Sequence, residues 1–191
     1  MKLKYYTHFY KLDDITCRRY LDIKTDNSEN TSHSPDIILI CLNPGSCKSD
    51  ILNKEIELTK TDPTISRISK LIGIGDIKYI RLLNLSDIKD PFSERFFNNP
   101  HIKTNKKHSI FSDCNKNILK DLVLTNSKVL LAWGVNDKNK ELAEMAFKAL
   151  KEISVKILNE NEPYYHPLKR FTKEKPEESW FEQTKKVLLN N

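Results

Sequence analysis

Glycine is scarce in this chain: the 191 residues contain four, Gly45, Gly73, Gly75 and Gly134. No GxxxxGK[ST] phosphate loop can be assembled from them. Gly73-Ile74-Gly75 is an incomplete GxGxxG that does not follow a strand, so P-loop nucleotide hydrolysis is excluded. There is no HExxH, no other metal-ligand spacing and no GxSxG elbow, and neither a metal nor a cofactor is expected. The four cysteines, Cys17, Cys41, Cys47 and Cys114, form no CxxC pair and have no histidines at zinc-finger spacing. They read as reduced thiols in a cytoplasmic protein, with Cys41 in the core and Cys47 exposed. No stretch approaches the ~20 apolar residues of a membrane span. The N-terminus, Met1-Lys2-Leu3-Lys4-Tyr5-Tyr6, has no apolar leader segment, so no membrane association is expected. Internal repeats and low-complexity tracts are missing too.

What is present in excess is positive charge. Thirty-two Lys and Arg against 26 Asp and Glu give a formal +6, a balance that favours a polyanionic partner such as DNA or a nucleotide but also serves solubility. The chain is rich in Lys, Asn and Ile throughout, a pattern that genome composition alone can produce. Nothing in the sequence reports the oligomeric state.

Apolar patterning places the elements. Asp36 to Leu42 is a continuous β-branched run, the mark of a strand buried on both faces. Similar runs span Tyr79 to Leu85, Lys128 to Trp133 and Val155 to Leu158. Between them, helical spacing is carried by Ile65, Ile68, Leu71 and Ile72, by Ile118, Leu119 and Leu122, and by Leu142, Ala146, Ala149, Leu150 and Ile153. A last helix, opened by Pro176, presents Trp180, Thr184, Val187 and Leu188. Residues 86–108 read as a long loop. This βαβαβαβα order predicts an α/β protein, a three-layer α/β/α sandwich with a central, mainly parallel sheet of about four strands. One domain over residues 1–191 is expected, with 1–35 an N-terminal hairpin or edge segment followed by a loop and 36–191 the α/β core.

Open α/β sheets place ligands at the C-terminal ends of their strands. Asn43-Pro44-Gly45-Ser46 follows the first core strand directly, Asn84 closes the second, and His166 stands in the rigid Pro163-Tyr164-Tyr165-His166-Pro167 segment after the fourth. If the strands are parallel, these groups share one edge. An Asn amide donates and accepts, so Asn84 can read a base edge, Asn43 can hold a water, and His166 can donate to an oxygen gaining negative charge. Taken singly, Asn43-Pro44-Gly45 is equally an ordinary turn, while Asn84 and His166 fit a strand-end cap and a structural histidine better than a site. Trp133 is a core residue or a pocket wall. Asp62, Thr64 and Arg67 at the start of a helix suit either a phosphate or an ion pair and helix cap. Lys169 and Arg170 beside Phe171 suit backbone contact and stacking on an unpaired base, or a solvated linker. Lys103, Lys106, Lys107 and His108 form a second basic stretch, read as a charged loop.

Asn43-Pro44-Gly45, Asn84 in Leu82-Leu83-Asn84 and His166-Pro167 resemble the first motif, the base-reading asparagine and the His-Pro motif of uracil-DNA glycosylases. Arg19-Tyr20-Leu21, Leu42-Asn43-Pro44, Asp62-Pro63-Thr64 with Arg67, Asn84-Leu85, Ala132-Trp133-Gly134 and His166-Pro167-Leu168, in that order, more closely resemble the bacterial and phage domain-of-unknown-function family numbered sixteen forty-three. The first resemblance implies a uracil-DNA-glycosylase-like fold holding a flipped base, with Asn43 orienting water, Asn84 reading the base and His166 stabilising it as it departs. The expected function is binding of a nucleobase, nucleotide or DNA, with N-glycosidic hydrolysis as its enzymatic version. A non-catalytic nucleic-acid or nucleotide-binding module is the alternative.

Overall fold

A computed structural model describes residues 2–26, 34–46, 51–160, 164–168 and 179–190. Its strands form one seven-stranded sheet: β1 (Leu3–Leu12), β2 (Ile15–Thr25), β3 (Ile37–Cys41), β4 (Glu55–Glu57), β5 (Tyr79–Asn84), β6 (Lys128–Leu131) and β7 (Lys156–Ile157), in the order β4-β1-β2-β5-β3-β6-β7. The helices are α1 (Pro63–Ile68), α2 (Ser93–Asn98), α3 (Pro100–Thr104), α4 (Lys116–Leu122), α5 (Lys140–Ile153) and α6 (Trp180–Leu189).

The four expected core strands are present as β5-β3-β6-β7 and run parallel. The expectation of a mainly parallel, four-stranded sheet is corrected, because the sheet is mixed. The hairpin β1–β2 pairs antiparallel with β5, Leu21 opposite Leu82 and Ile23 opposite Ile80, and β4 pairs antiparallel with the far side of β1. The cause is burial. Phe9, Leu21 and Ile23 share a cluster with Ile37, Leu39, Ile80 and Leu82, so the hairpin extends the apolar face of the parallel strands instead of fringing it.

Both sheet faces are covered. Because successive strand residues point to opposite faces, Ile37, Leu39 and Cys41 pack under Ile65 and Ile68 of α1 and Trp180 of α6. Ile38 and Ile40 pack on the other face with Leu119 of α4 and Leu142, Ala146 and Leu150 of α5. The expected loop over residues 86–108 holds α2, α3 and a 3-10 turn at Lys106–His108. Asn99 caps α3 ahead of Pro100, and Phe96 and His108 are buried.

Candidate functional site

The C-terminal ends of β3 and β5 are laced together beyond the strands. Leu85 N–H donates to Cys41 O at 2.8 Å, Ser86 N–H to Leu42 O at 3.0 Å and Asp90 N–H to Pro44 O at 3.0 Å. Asn43 reinforces this seam, its Nδ2 lying 2.6 Å from Asp90 O, 3.2 Å from Pro44 O and 3.5 Å from Ile88 O. With the amide nitrogen committed to carbonyls, Oδ1 is the acceptor Asn43 offers elsewhere.

The seam forms one wall of a cavity of about 130 Å³, whose lining includes Arg18, Asn43, Gly45, Asp62, Thr64, Asn84, Asp90 and His166. Asn43, Asn84 and His166, from three separate segments, therefore meet in one space. Gly45 and the first turn of α1 close another side. Pro63 opens that helix, and Asp62 caps it by accepting from Ile65 N–H at 2.9 Å, the arrangement a proline at the first helical position favours. A Cβ at Gly45 would lie 2.7 Å from Asp62 Oδ2, so only glycine lets the loop approach the carboxylate this closely.

The floor of the cavity is the most telling part. Asn84, 1% exposed, accepts at Oδ1 from Arg18 Nη2 at 3.0 Å, and Arg18 is itself 2% exposed. The Asn84 Nδ2 is buried with no hydrogen-bond partner among the described residues. An unsatisfied buried donor costs about 1–3 kcal/mol, an expense a protein seldom retains without a use.

His166 accepts at Nδ1 from Leu168 N–H at 3.1 Å, which leaves its proton on Nε2. Burial pulls this imidazole below its ordinary value of 6.5, and the Asp62 carboxylate only partly offsets the effect. The ring is therefore a neutral N–H donor near pH 7. Asp90 is different. Burial pushes its carboxyl up, but Arg95 Nε at 2.6 Å and Phe92 N–H at 2.9 Å outweigh this and hold it below the usual carboxylate range. The cavity lining thus combines neutral N–H donors, from Asn84 and His166, with oxygens from Asn43, Asp62 and Asp90.

Other expected residues lie elsewhere. Pro44 is buried in the seam and Ser46 is exposed beside it, neither lining the cavity. Arg67 is in the last turn of α1, away from the lining, while Asp62 serves as the cap. Trp133 sits in the core on the opposite sheet face, edge-on to Phe147 at 5.4 Å and Tyr164 at 5.3 Å. Lys169, Arg170 and Cys47 lie outside the described residues. In the second basic stretch, Lys106 pairs with Glu141 at 2.5 Å and His108 is buried, its imidazole lowered by that burial.

Arg18 and Asp90 carry the unforeseen part of the site. A β-bulge explains Arg18: the β1–β2 register shifts between His8 and Phe9, so Arg18 opposes Phe9 while Tyr20 opposes His8. Regular alternation would place Arg18 on the face of Tyr20 and Asp22, and the extra residue turns it to the cavity. Larger depressions are present among the described residues, about 240 Å³ between α4 and α5, about 590 Å³ between α6 and β6–β7 and about 340 Å³ beside Asp36 and Lys128 at the start of β3 and β6; none of them gathers the polar groups of the strand ends.

Residues 18–168 match the profile of a protein family of unknown function, DUF1643, and the chain belongs to that family. No curated protein and no solved structure matches it.

Proposed function

We propose that this member of the DUF1643 family, which inherits no activity from a family of unknown function, binds a nucleobase in the cavity at its strand ends and hydrolyses the N-glycosidic bond. One observation carries the reading: Asn84, whose buried Nδ2 has no hydrogen-bond partner among the described residues, lines a space shared with a neutral His166 and with Asp62. A volume of about 130 Å³ suits a planar ring better than a whole nucleotide. The order of Asn43-Pro44, Asn84 and His166-Pro167 resembles that of uracil-DNA glycosylases, which supports the same assignment.

In this reading Asn84 donates to the base edge and His166 Nε2–H donates to a base oxygen. As the C–N bond breaks, its electron pair passes to the base, and the histidine stabilises the charge that develops. Water adds to the sugar carbon and gives up a proton. Asn43 Oδ1 orients that water and, since an asparagine is no base, a carboxylate must accept the proton; Asp90 is held by Arg95 and Phe92, which leaves Asp62 for this part. Asp62 thereby gains a chemical part beyond capping α1.

The test is release of free base from labelled oligonucleotides and nucleotides carrying uracil, mismatched, oxidised or hypermodified bases. Release that Asn43→Ala and His166→Ala abolish supports the assignment. Absence of release from every substrate by a protein that still binds bases would leave the second reading, a non-catalytic binding module. The commitment of Asn43 Nδ2 to three backbone carbonyls, a structural duty, favours that alternative.

A further inference from the structure

The polarity of the Asn84 amide is not left to chance. An asparagine side chain can turn over, exchanging donor for acceptor at little cost when its surroundings permit. Here Arg18 Nη2 donates to Oδ1 at 3.0 Å from a guanidinium that is almost wholly buried. Turning the amide over would set N–H against N–H between two almost wholly buried groups, a donor–donor clash that low-dielectric surroundings make costly. Arg18 reaches this place because of the bulge in the β1–β2 hairpin, and its own backbone N–H is anchored to Asp87 O at 2.8 Å.

Resting on the nucleobase reading, we propose that Arg18 is a positioning residue that sets the specificity of the cavity. By holding Asn84 with Nδ2 inward, it makes the site select a base edge presenting a keto oxygen and reject one presenting an exocyclic amino group. An amino edge would bring donor to donor, the mismatch by which buried polar sites discriminate most strongly. His166, fixed as an Nε2–H donor by Leu168, adds a second preference of the same sign. Arg18 touches no reacting atom in this account. It acts through Asn84.

The experiment is equilibrium binding of two pairs of free bases, uracil with cytosine and hypoxanthine with adenine, to the full chain. The parent is expected to prefer a keto member by about tenfold or more, the effect of one satisfied against one mismatched buried hydrogen bond. Asn84→Asp keeps a partner for Arg18 but replaces the inward donor with an acceptor, and should reverse the preference. Arg18→Met frees the amide to turn, so both members should bind with a ratio near one. Equal binding of both members by the parent would overturn the inference while leaving the nucleobase reading intact. So would an unchanged ratio in folded Arg18→Met. If Arg18→Met does not fold, Asn84→Asp decides alone, and failure to reverse the preference is the refuting result. Failure of the parent to bind any of the four bases would remove the nucleobase reading and this inference together.

Discussion

Replacing Gly45 by alanine probes the contact on which one wall of the cavity depends. The added Cβ would stand 2.7 Å from Asp62 Oδ2 and 3.4 Å from Asp62 Cγ. The approach to Oδ2 is too short for both groups to remain in place, and Asp62 has a short side chain whose Oδ1 is held by Ile65 N–H at 2.9 Å. The carboxylate must swing away, and the cap of α1 goes with it. Loss of such a cap costs about 0.5–2 kcal/mol, equivalent to a fall in Tm of roughly 1–8 °C for a chain of this length. The coupling is the decisive quantity. In an Asp62→Ala background the alanine methyl has no carboxylate to meet, so Gly45→Ala should cost little there. Thermal denaturation of the parent, both single variants and the double variant completes the cycle. Equal destabilisation by Gly45→Ala in the two backgrounds would refute the claim that the glycine exists to admit Asp62.

His166→Ala should lower base release about 10²-fold to 10³-fold, as loss of an oxyanion donor does, with little change in urea midpoint. Asp87 is buried, which pushes its carboxyl up to about 7 although Arg19 and the Tyr10 hydroxyl pull the other way. A folded-state value above the unfolded one stabilises the fold below the unfolded value of 3.8, and that contribution is lost as pH rises towards 7. Urea denaturation across that range should show this slope, and Asp87→Asn should remove it; a slope that persists in the variant contradicts the assignment. Asp22 holds Arg81 bidentately, 2.8 Å to both Nε and Nη2, with both side chains largely shielded from water. Asp22→Ala should cost on the order of 3–5 kcal/mol by stranding the guanidinium. Lys106→Ala, which breaks the exposed pair with Glu141, should cost about 0–1 kcal/mol; similar costs for the two would refute the distinction.

The parallel half of the sheet was legible because burial on both faces writes itself as an unbroken apolar run. All five residues of β3 are buried, and only Arg81 interrupts β5. The face of α5 was legible for the matching reason, with Leu142, Ala146, Leu150 and Ile153 all buried. β4 was not. Glu55-Ile56-Glu57 is a three-residue edge whose pairing is set by β1 and not by its own composition. Nor does the β1–β2 segment announce that its partner is β5, more than fifty residues away in sequence, because strand pairing is a tertiary choice. In the site, Asn43, Asn84 and His166 were visible because strand ends and turn residues mark them. Arg18 was hidden by the bulge, since a period of two assigns it to the wrong face. Asp90 was hidden in a stretch whose polar and proline residues resemble loop, although its carboxylate is held by Arg95 and Phe92.

The central claim is that a base occupies the cavity against Asn84, and the most direct measurement follows the side-chain resonances of Asn84 and His166 by NMR while uracil and hypoxanthine are added. The account predicts saturable shifts of the Asn84 Nδ2 protons and the His166 Nε2 nitrogen, lost in Asn84→Ala. Shifts confined to residues around the depressions beside α5 or α6, or none at all, would contradict it.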